Sequence, residues 1–350
     1  MVVITLVSVF VALIVSLICT PVAKLLAVRF KIYASPNHRT VHNGSTPKLG
    51  GLSMYFAFTV GLLLYTIFTK NIQLMAGLLL GGGLVLLIGF LDDFFTIGCY
   101  RKLVGQTVAA VIAVLFGFLI DTIYLPNGVS LQLGYWSVPI SVFWIISLTN
   151  AMNLLDGLDG LASGFAIVAA WFVLIGAVLY NHYEIAVTAL ILIAASGGFL
   201  RYNFAPAKIF MGDMGSLFLG FALACISLKA FTSPQTGSHA TVLIVLFLVP
   251  LADTFIAILR RISAGQHPFS PDKKHIHHRL LSMGFSQIAA VLIIYTATLF
   301  CGLVSLIFFV ADLKVAIVLL MFFLLLFLFG LVQLGCFDFF SRRKYSKELS

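Results

Sequence analysis

Apolar runs of about 20 residues, the length of helix that crosses a bilayer's hydrocarbon core, recur from Val2 to Cys336 with little between them. Nothing else in the chain limits its fold so strongly. Of 350 residues, 61% are hydrophobic and 9% charged, at a mean hydropathy of +1.12. No water-soluble single domain could hide that much apolar surface in one core. Hydropathy and helix breakers place eleven helices, at 2–28, 50–69, 72–91, 103–120, 137–154, 160–180, 185–200, 215–231, 240–259, 287–310 and 314–336. The expected fold class is an all-α polytopic membrane protein, with one integral membrane domain over 1–340 and a basic tail over 341–350.

The first span has no basic leader region, and no small-residue cleavage site closes it before Lys24, so it is expected to be retained. Five cysteines form no CxxC pair and read as small core residues, with neither a disulfide framework nor a zinc site. Alternating the spans puts eighteen of the 21 Lys and Arg on one face, leaving Lys70, Lys229 and Lys314 on the other. By the positive-inside rule the rich face is cytoplasmic, the N-terminus outside and the C-terminus inside. Nine of the twelve Asp and Glu share that face. The rule does not predict the second bias, which points to a site near the bilayer surface.

The polar residues fall into clusters. Asp92 and Asp93 in GFLDDFFTIG end the third span, at the wrong pole of a helix for anions. A solvated helix end would allow the pair; metal binding or proton handling would require it. NAMNLLDGLDGLASG brings Asn153, Asp156 and Asp159 together with Gly157 and Gly160. One of the two Asp is accounted for by capping the next helix, but not both Asp and both Asn. In LRYNFAPAKIFMGDMGSLFLG, Asp213 leads into a helix whose Gly215 and Ser216 allow close backbone approach. Arg201, Asn203, Lys208 and Phe210 crowd the same loop, a mix suited to a planar base and phosphates.

Asp253 lies inside an apolar helix two turns before Arg260, and an intramembrane acid is either functional or paired with a nearby cation. The loop beyond carries Arg260, Arg261, Lys273, Lys274 and Arg279 with His267, His275, His277 and His278. HxHH has the composition of a transition-metal cluster, but the other candidate ligands are carboxylates without a nearby cysteine, which favours magnesium. The loop's His and Arg then read as phosphate contacts, a salt-bridged surface loop being the alternative. Arg39, His42 and Lys48 form a last basic segment, suited either to phosphate or to anionic headgroups. Acids, cations and an apolar envelope together suit phosphoryl transfer at the membrane surface, where catalysis is mostly alignment and charge neutralisation.

FLDDF, NLLDGLDGL, IFMGDMGSL, PLADT and FSPDKKHIHHRL stand in this order, and their combination over residues 36 to 284 resembles the polyprenyl-phosphate N-acetylhexosamine-1-phosphate transferases. The resemblance implies transfer of a sugar 1-phosphate from a UDP-sugar to undecaprenyl phosphate, with release of UMP and a requirement for Mg2+ or Mn2+. The SPDxxHxHH form is similar to the GlcNAc-1-phosphate branch, which begins wall teichoic acid, O-antigen or related glycans. The phospho-MurNAc-pentapeptide transferases, the alternative branch, carry an uninterrupted HHH, whereas Ile276 interrupts it here. Asp213 is implied as the metal ligand, with Asp92 as its partner acid, and Asp92 and Asp93 lie where the lipid phosphate is received. Catalytic roles are implied for Asp92, Asp93, Asp156, Asp159, His277 and His278. Substrate binding is implied for Lys48, Asn153, Asn203, Phe210 and His275, with Phe210 as a stacking face for uracil, and is expected of Arg260 and Arg279 as the loop's phosphate contacts.

The partners expected are a UDP-sugar, the polyprenyl phosphate and the membrane, without nucleic acid; a homodimer is compatible with the sequence. Direct attack by the lipid phosphate is favoured over a covalent Asp intermediate, because a phosphate monoester is largely dianionic at pH 7. A cation-coupled transporter, the rival class, would hold acids near the midplane and show an inverted repeat. The acids sit mostly at helix ends instead, and no repeat is evident.

Overall fold

The computed structural model describes residues 1–34, 46–70, 72–124, 130–231, 240–268, 270, 272, 274–310 and 313–337. Arg39, His42, Lys273 and the basic tail lie outside them. Among the described residues the chain forms thirteen α-helices and one 3-10 turn, Gly134–Trp136, that leads into the fifth. The first eight are α1 (Val2–Arg29), α2 (Gly50–Thr69), α3 (Ile72–Phe95), α4 (Cys99–Leu115), α5 (Ser137–Leu155), α6 (Leu161–Leu179), α7 (Tyr183–Asn203) and α8 (Gly212–Phe231). There follow α9 (Ala240–Leu246), α10 (Leu248–Ser263), α11 (Ile276–Ser282), α12 (Gln287–Val310) and α13 (Leu313–Gln333). Eight of them are long and apolar enough to cross a membrane: α1, α2, α3, α5, α6, α7, α8 and α12. The protein has the architecture of a predominantly helical, multi-pass membrane protein.

The other expected spans are covered by α4, by α9 with α10, and by α13. Three differences matter. Helix α3 runs on to Phe95, so Asp92 and Asp93 belong to its last turns. Helix α8 starts at Gly212, which puts Asp213 in its first turn. The expected helix at 240–259 is broken at Phe247, because Pro250 has no N–H to offer the carbonyl of Leu246. A small antiparallel hairpin, β1 (Thr122–Tyr124) and β2 (Ser130–Gln132) with Ile123 opposite Leu131, joins α4 to α5; the hydropathy reading has no strand there.

Helix α8 is the axis of the bundle. Of its most apolar 18 residues 94% are buried, against 17% for α1 at the periphery, and it packs on α2, α3, α5 and α6. In lipid, apolar side chains gain little by leaving one hydrocarbon for another, so close backbone approach through small residues holds helices together. Helix α1 turns Ser8, Ala12, Ser16, Thr20, Ala23 and Ala27 inward, and Ser16 donates to the Ala195 carbonyl at 2.6 Å. Around α8 the approaches are tighter. A Cβ on Gly51 would lie 2.2 Å from the Gly215 nitrogen, one on Gly89 2.4 Å from the Met214 nitrogen, and one on Gly220 2.6 Å from the Thr149 Cα. These three contacts bring the start of α2, the end of α3 and the last half of α5 against the first half of α8.

Candidate active site

Where those ends meet, the charged residues meet too. Asp93, whose side chain is 1% exposed, faces the Lys48 ammonium at 2.5 Å. It also accepts hydrogen bonds from the Asp213 and Met214 amides, at 3.1 and 3.4 Å. Those amides are unpaired donors of the first turn of α8, where a helix favours an anion. A Cβ on Gly212 would lie 2.4 Å from Asp93 Oδ2, and its φ of +69° is one that glycine adopts without strain. Lys48 is held by backbone pairing: the Phe210 amide donates to the Pro47 carbonyl at 2.8 Å, and the Gly50 and Gly51 amides donate to the Phe210 and Met211 carbonyls at 2.9 Å.

Lys102, in the first turn of α4, lies between two acids. Its ammonium is 3.0 Å from Asp92 Oδ2 and also pairs with Asp213; Asn153 Oδ1 stands 3.4 Å away. Asn153 in turn donates to Ser216 Oγ at 2.9 Å, and Asp92 Oδ1 accepts from the Ile97 amide at 3.1 Å. Asp92 and Asp213 are close enough to share a hydrogen bond. Asp156, just past the end of α5, feels Asp213, Lys48 and Asp93 electrostatically. Burial, reinforced by Asp213, pushes its carboxyl up to about 8, with Lys48 opposing. At Lys48, burial works against the ammonium, but Asp93 and Asp213 outweigh it and hold the pKa above the usual lysine value.

The 156–160 loop is tied down from several directions. Asp159 accepts from the Ala207 amide at 2.8 Å. Asn203 accepts from the Gly160 amide at 3.2 Å and from Ser163 Oγ at 3.1 Å, and donates to the Ile209 carbonyl at 3.0 Å. Tyr295 of α12 donates to the Gly160 carbonyl. The histidine segment closes over the same loop: a Cβ on Gly157 would lie 2.2 Å from His277 Nε2. His277 is 2% exposed, its Nδ1 has no hydrogen-bond partner among the described residues, and burial, with His278 acting the same way, pushes its imidazole down to about 3.

Asp92, Asp93, Asp213, Lys48, Asn153 and Asp156 thus come together, with Asp159 and Phe210 on the loops around them, Asn203 at the end of α7 and His277 and His278 in α11. Arg260 and Arg279 are engaged elsewhere: Arg260 pairs with Asp272, and Arg279 donates to the Lys274, Leu334 and Gly335 carbonyls. Lys102 is the residue that motif reading missed. Its signal was available: two adjacent cations, Arg101 and Lys102, in the first turn of an apolar helix are as misplaced by dipole as an acid pair at a last turn.

Among the described residues no three His, Cys, Asp or Glu side chains converge as a metal cage, and the histidine rings lie against one another instead. Magnesium asks for less, one or two carboxylates plus substrate phosphates. Asp92 and Asp213, two hard oxygen donors around one ammonium, fit that demand.

Fold and site together define a multi-pass membrane protein with a charge-paired polar centre built on helix ends. A family model described as Glycosyl transferase family 4 matches residues 75–231. The probable undecaprenyl-phosphate N-acetylglucosaminyl 1-phosphate transferase of Bacillus subtilis (strain 168) is 37% identical over 290 residues, which cover 83% of this chain and 80% of the relative. The decaprenyl-phosphate N-acetylglucosaminephosphotransferase of Mycolicibacterium smegmatis is 36% identical over 314 residues, 81% of this chain and 77% of its own. The undecaprenyl-phosphate alpha-N-acetylglucosaminyl 1-phosphate transferase of Escherichia coli (strain K12) is 30% identical over 319 residues, 88% and 85% of the two chains. The chain belongs to the polyprenyl-phosphate N-acetylhexosamine-1-phosphate transferase family.

Proposed function

We propose that this protein transfers N-acetylglucosamine 1-phosphate from UDP-N-acetylglucosamine to undecaprenyl phosphate at the cytoplasmic face of the membrane, beginning a cell-envelope glycan such as wall teichoic acid or O-antigen. The observation that carries the reading is the meeting of Asp92, Asp93, Asp213, Lys48 and Lys102, from four separate segments, at one cluster of helix ends. Two phosphate-bearing substrates need such a place, with cations to accept their oxygens and acids to hold those cations in position.

A lipid phosphate oxygen bonds to the sugar-linked phosphorus, the bond from that phosphorus to the bridging oxygen breaks, and UMP leaves with the electron pair. Lys48 and Lys102 are placed to exchange their carboxylate partners for phosphate oxygens. Asp93, at 1% exposure and held by Lys48 and the α8 amides, is a holding residue. Asp92, at 20% exposure, is the acid able to meet the lipid phosphate. Asp213 and Asp92 would hold magnesium, which neutralises phosphate charge when bound. Asp156 and Phe210 meet the nucleotide, while Asp159 and Asn203 shape the loop that receives it; His277, neutral and with one ring nitrogen unpartnered, is placed to hydrogen-bond the diphosphate or sugar.

The test is to incubate the purified protein with undecaprenyl phosphate, Mg2+ and a panel of UDP-sugars and to follow UMP release. UMP is expected with UDP-N-acetylglucosamine and only when the lipid phosphate is present. Preference for the UDP-MurNAc-pentapeptide would move the protein to the other branch. Solute uptake by sealed vesicles without UMP would replace the enzyme with a transporter. Asp92→Asn is expected to lose less rate as the pH rises through the second ionisation of the lipid phosphate, near 6. An equal defect at every pH argues against direct attack.

A further inference from the structure

Asp253 lies in α10 and is 5% exposed. The nearby cation that could have explained it, Arg260, is paired with Asp272 instead. The two carboxylate oxygens of Asp253 serve neighbouring residues: Oδ2 faces His275 Nδ1 at 3.0 Å, and Oδ1 accepts from the Ile276 amide at 3.0 Å. An ionised carboxylate only accepts hydrogen bonds, so Nδ1 carries the hydrogen that points at it. His275 is 4% exposed, and its ring lies parallel to that of His277, with 6° between the planes and centroids 5.9 Å apart. His277 leans on His278 at 4.2 Å and rests on Gly157, where only a glycine leaves it room. Gly157 follows Asp156 directly and stands two residues before Asp159.

We propose that Asp253 is a positioning residue of the nucleotide-sugar site: it fixes His275 as the Nδ1–H tautomer and so sets the His275–His277 stack against the 156–160 loop. The inference rests on the transferase reading above. A Ser or Asn would suffice to bind the Ile276 amide; the carboxylate is needed only because a second acceptor must face the ring. The effect reaches the substrate through His277 and the loop, so it falls on the nucleotide sugar and spares the lipid phosphate, which meets Asp92 and Lys102.

Asp253→Asn separates these roles. Its side-chain oxygen still accepts from the Ile276 amide, but its NH2 then faces His275 Nδ1 and drives the ring to the Nε2–H tautomer. In the purified full-length protein we expect the KM for UDP-N-acetylglucosamine to rise, with kcat/KM falling by up to about 100-fold, while the KM for undecaprenyl phosphate and the Tm stay near wild type. The double variant Asp253→Asn/His275→Gln should be no worse than His275→Gln alone, because both changes break one chain of contacts. Ring 15N shifts of His275, assigned by their loss in His275→Gln, should show Nδ1–H in wild type and Nε2–H in Asp253→Asn. Wild-type kinetics in Asp253→Asn, losses that multiply in the double variant, an equal rise of both KM values with a lowered Tm, or one tautomer in both proteins would each overturn the proposal. A wild-type protein that releases no UMP would instead overturn the transferase reading, and the 15N measurement would still decide the role of Asp253 toward His275.

Discussion

Asp156 and His277 lie on the two sides of one loop contact, and burial moves both toward their neutral forms, with opposite consequences for stability. The Asp156 carboxyl is raised to about 8. The folded protein therefore holds a proton there that the unfolded chain releases near 4, and this stability, full at low pH, is lost as pH rises through 8. The His277 imidazole is lowered to about 3, so its contribution is full above the unfolded value near 6.5 and is lost as pH falls toward 3. Relative to wild type, Asp156→Asn should therefore gain Tm as pH rises from 5 to 8, and His277→Gln should gain Tm as pH falls from 7 to 4, both read by thermal unfolding in detergent. Lys102 acts by charge. Lys102→Met leaves Asp92 and Asp213 facing each other without the ammonium that joins them, and turnover should fall by about 100-fold or more. Because magnesium and the ammonium compete for the same oxygens, the Mg2+ concentration that half-maximally raises the Tm should be lower in this variant than in wild type.

The helices reach their site by touching through glycine, and the close approaches make a graded prediction. Gly89→Ala would put a methyl group 2.4 Å from the Met214 nitrogen, a backbone atom that cannot swing aside, and would wedge α3, with Asp92 and Asp93, away from the first turn of α8. A misplacement of about 1 Å can cost 10²-fold in rate, so activity should fall at least that far and Tm should drop. Gly51→Ala, at 2.2 Å from the Gly215 nitrogen, should behave alike. Gly197→Ala, with nothing within 4 Å of its Cβ, should keep full activity, which checks that glycine loss in a helix is not itself the cause. None of these contacts was legible in the sequence, where hydropathy gives the spans but not which glycine meets which backbone. The site acids were legible because carboxylates stand out in hydrocarbon. What hid Lys102 was its place at a span boundary, where positive charge is already explained by topology, and what hid the true ends of α3 and α8 was the same polarity that makes their last and first turns useful. Arg260 and Arg279 look like substrate cations in a linear reading, since only the folded chain supplies Asp272 and the carbonyls just past α13.

At the scale of the whole molecule, the basic-face assignment gives an orientation that one native probe can check. Cys99 is exposed, Cys19 is half-buried, and Cys225, Cys301 and Cys336 are buried; Cys99 stands at the start of α4, beside Lys102. A membrane-impermeant maleimide should label Cys99 only after the cells are permeabilised, and Cys99→Ser should abolish the signal. Labelling in intact cells would reverse the topology and with it the side on which the acids lie. Helix α8 carries the remaining consequence. It is apolar enough to partition into lipid by itself, yet in the finished protein almost none of it touches lipid. During synthesis it emerges after α2, α3, α5 and α6, the helices that finally enclose it, so the growing ring has to stay open for a late central guest. A change that lets this span insert but keeps it from docking would therefore leave a bundle hollow at its centre, with every other helix in place.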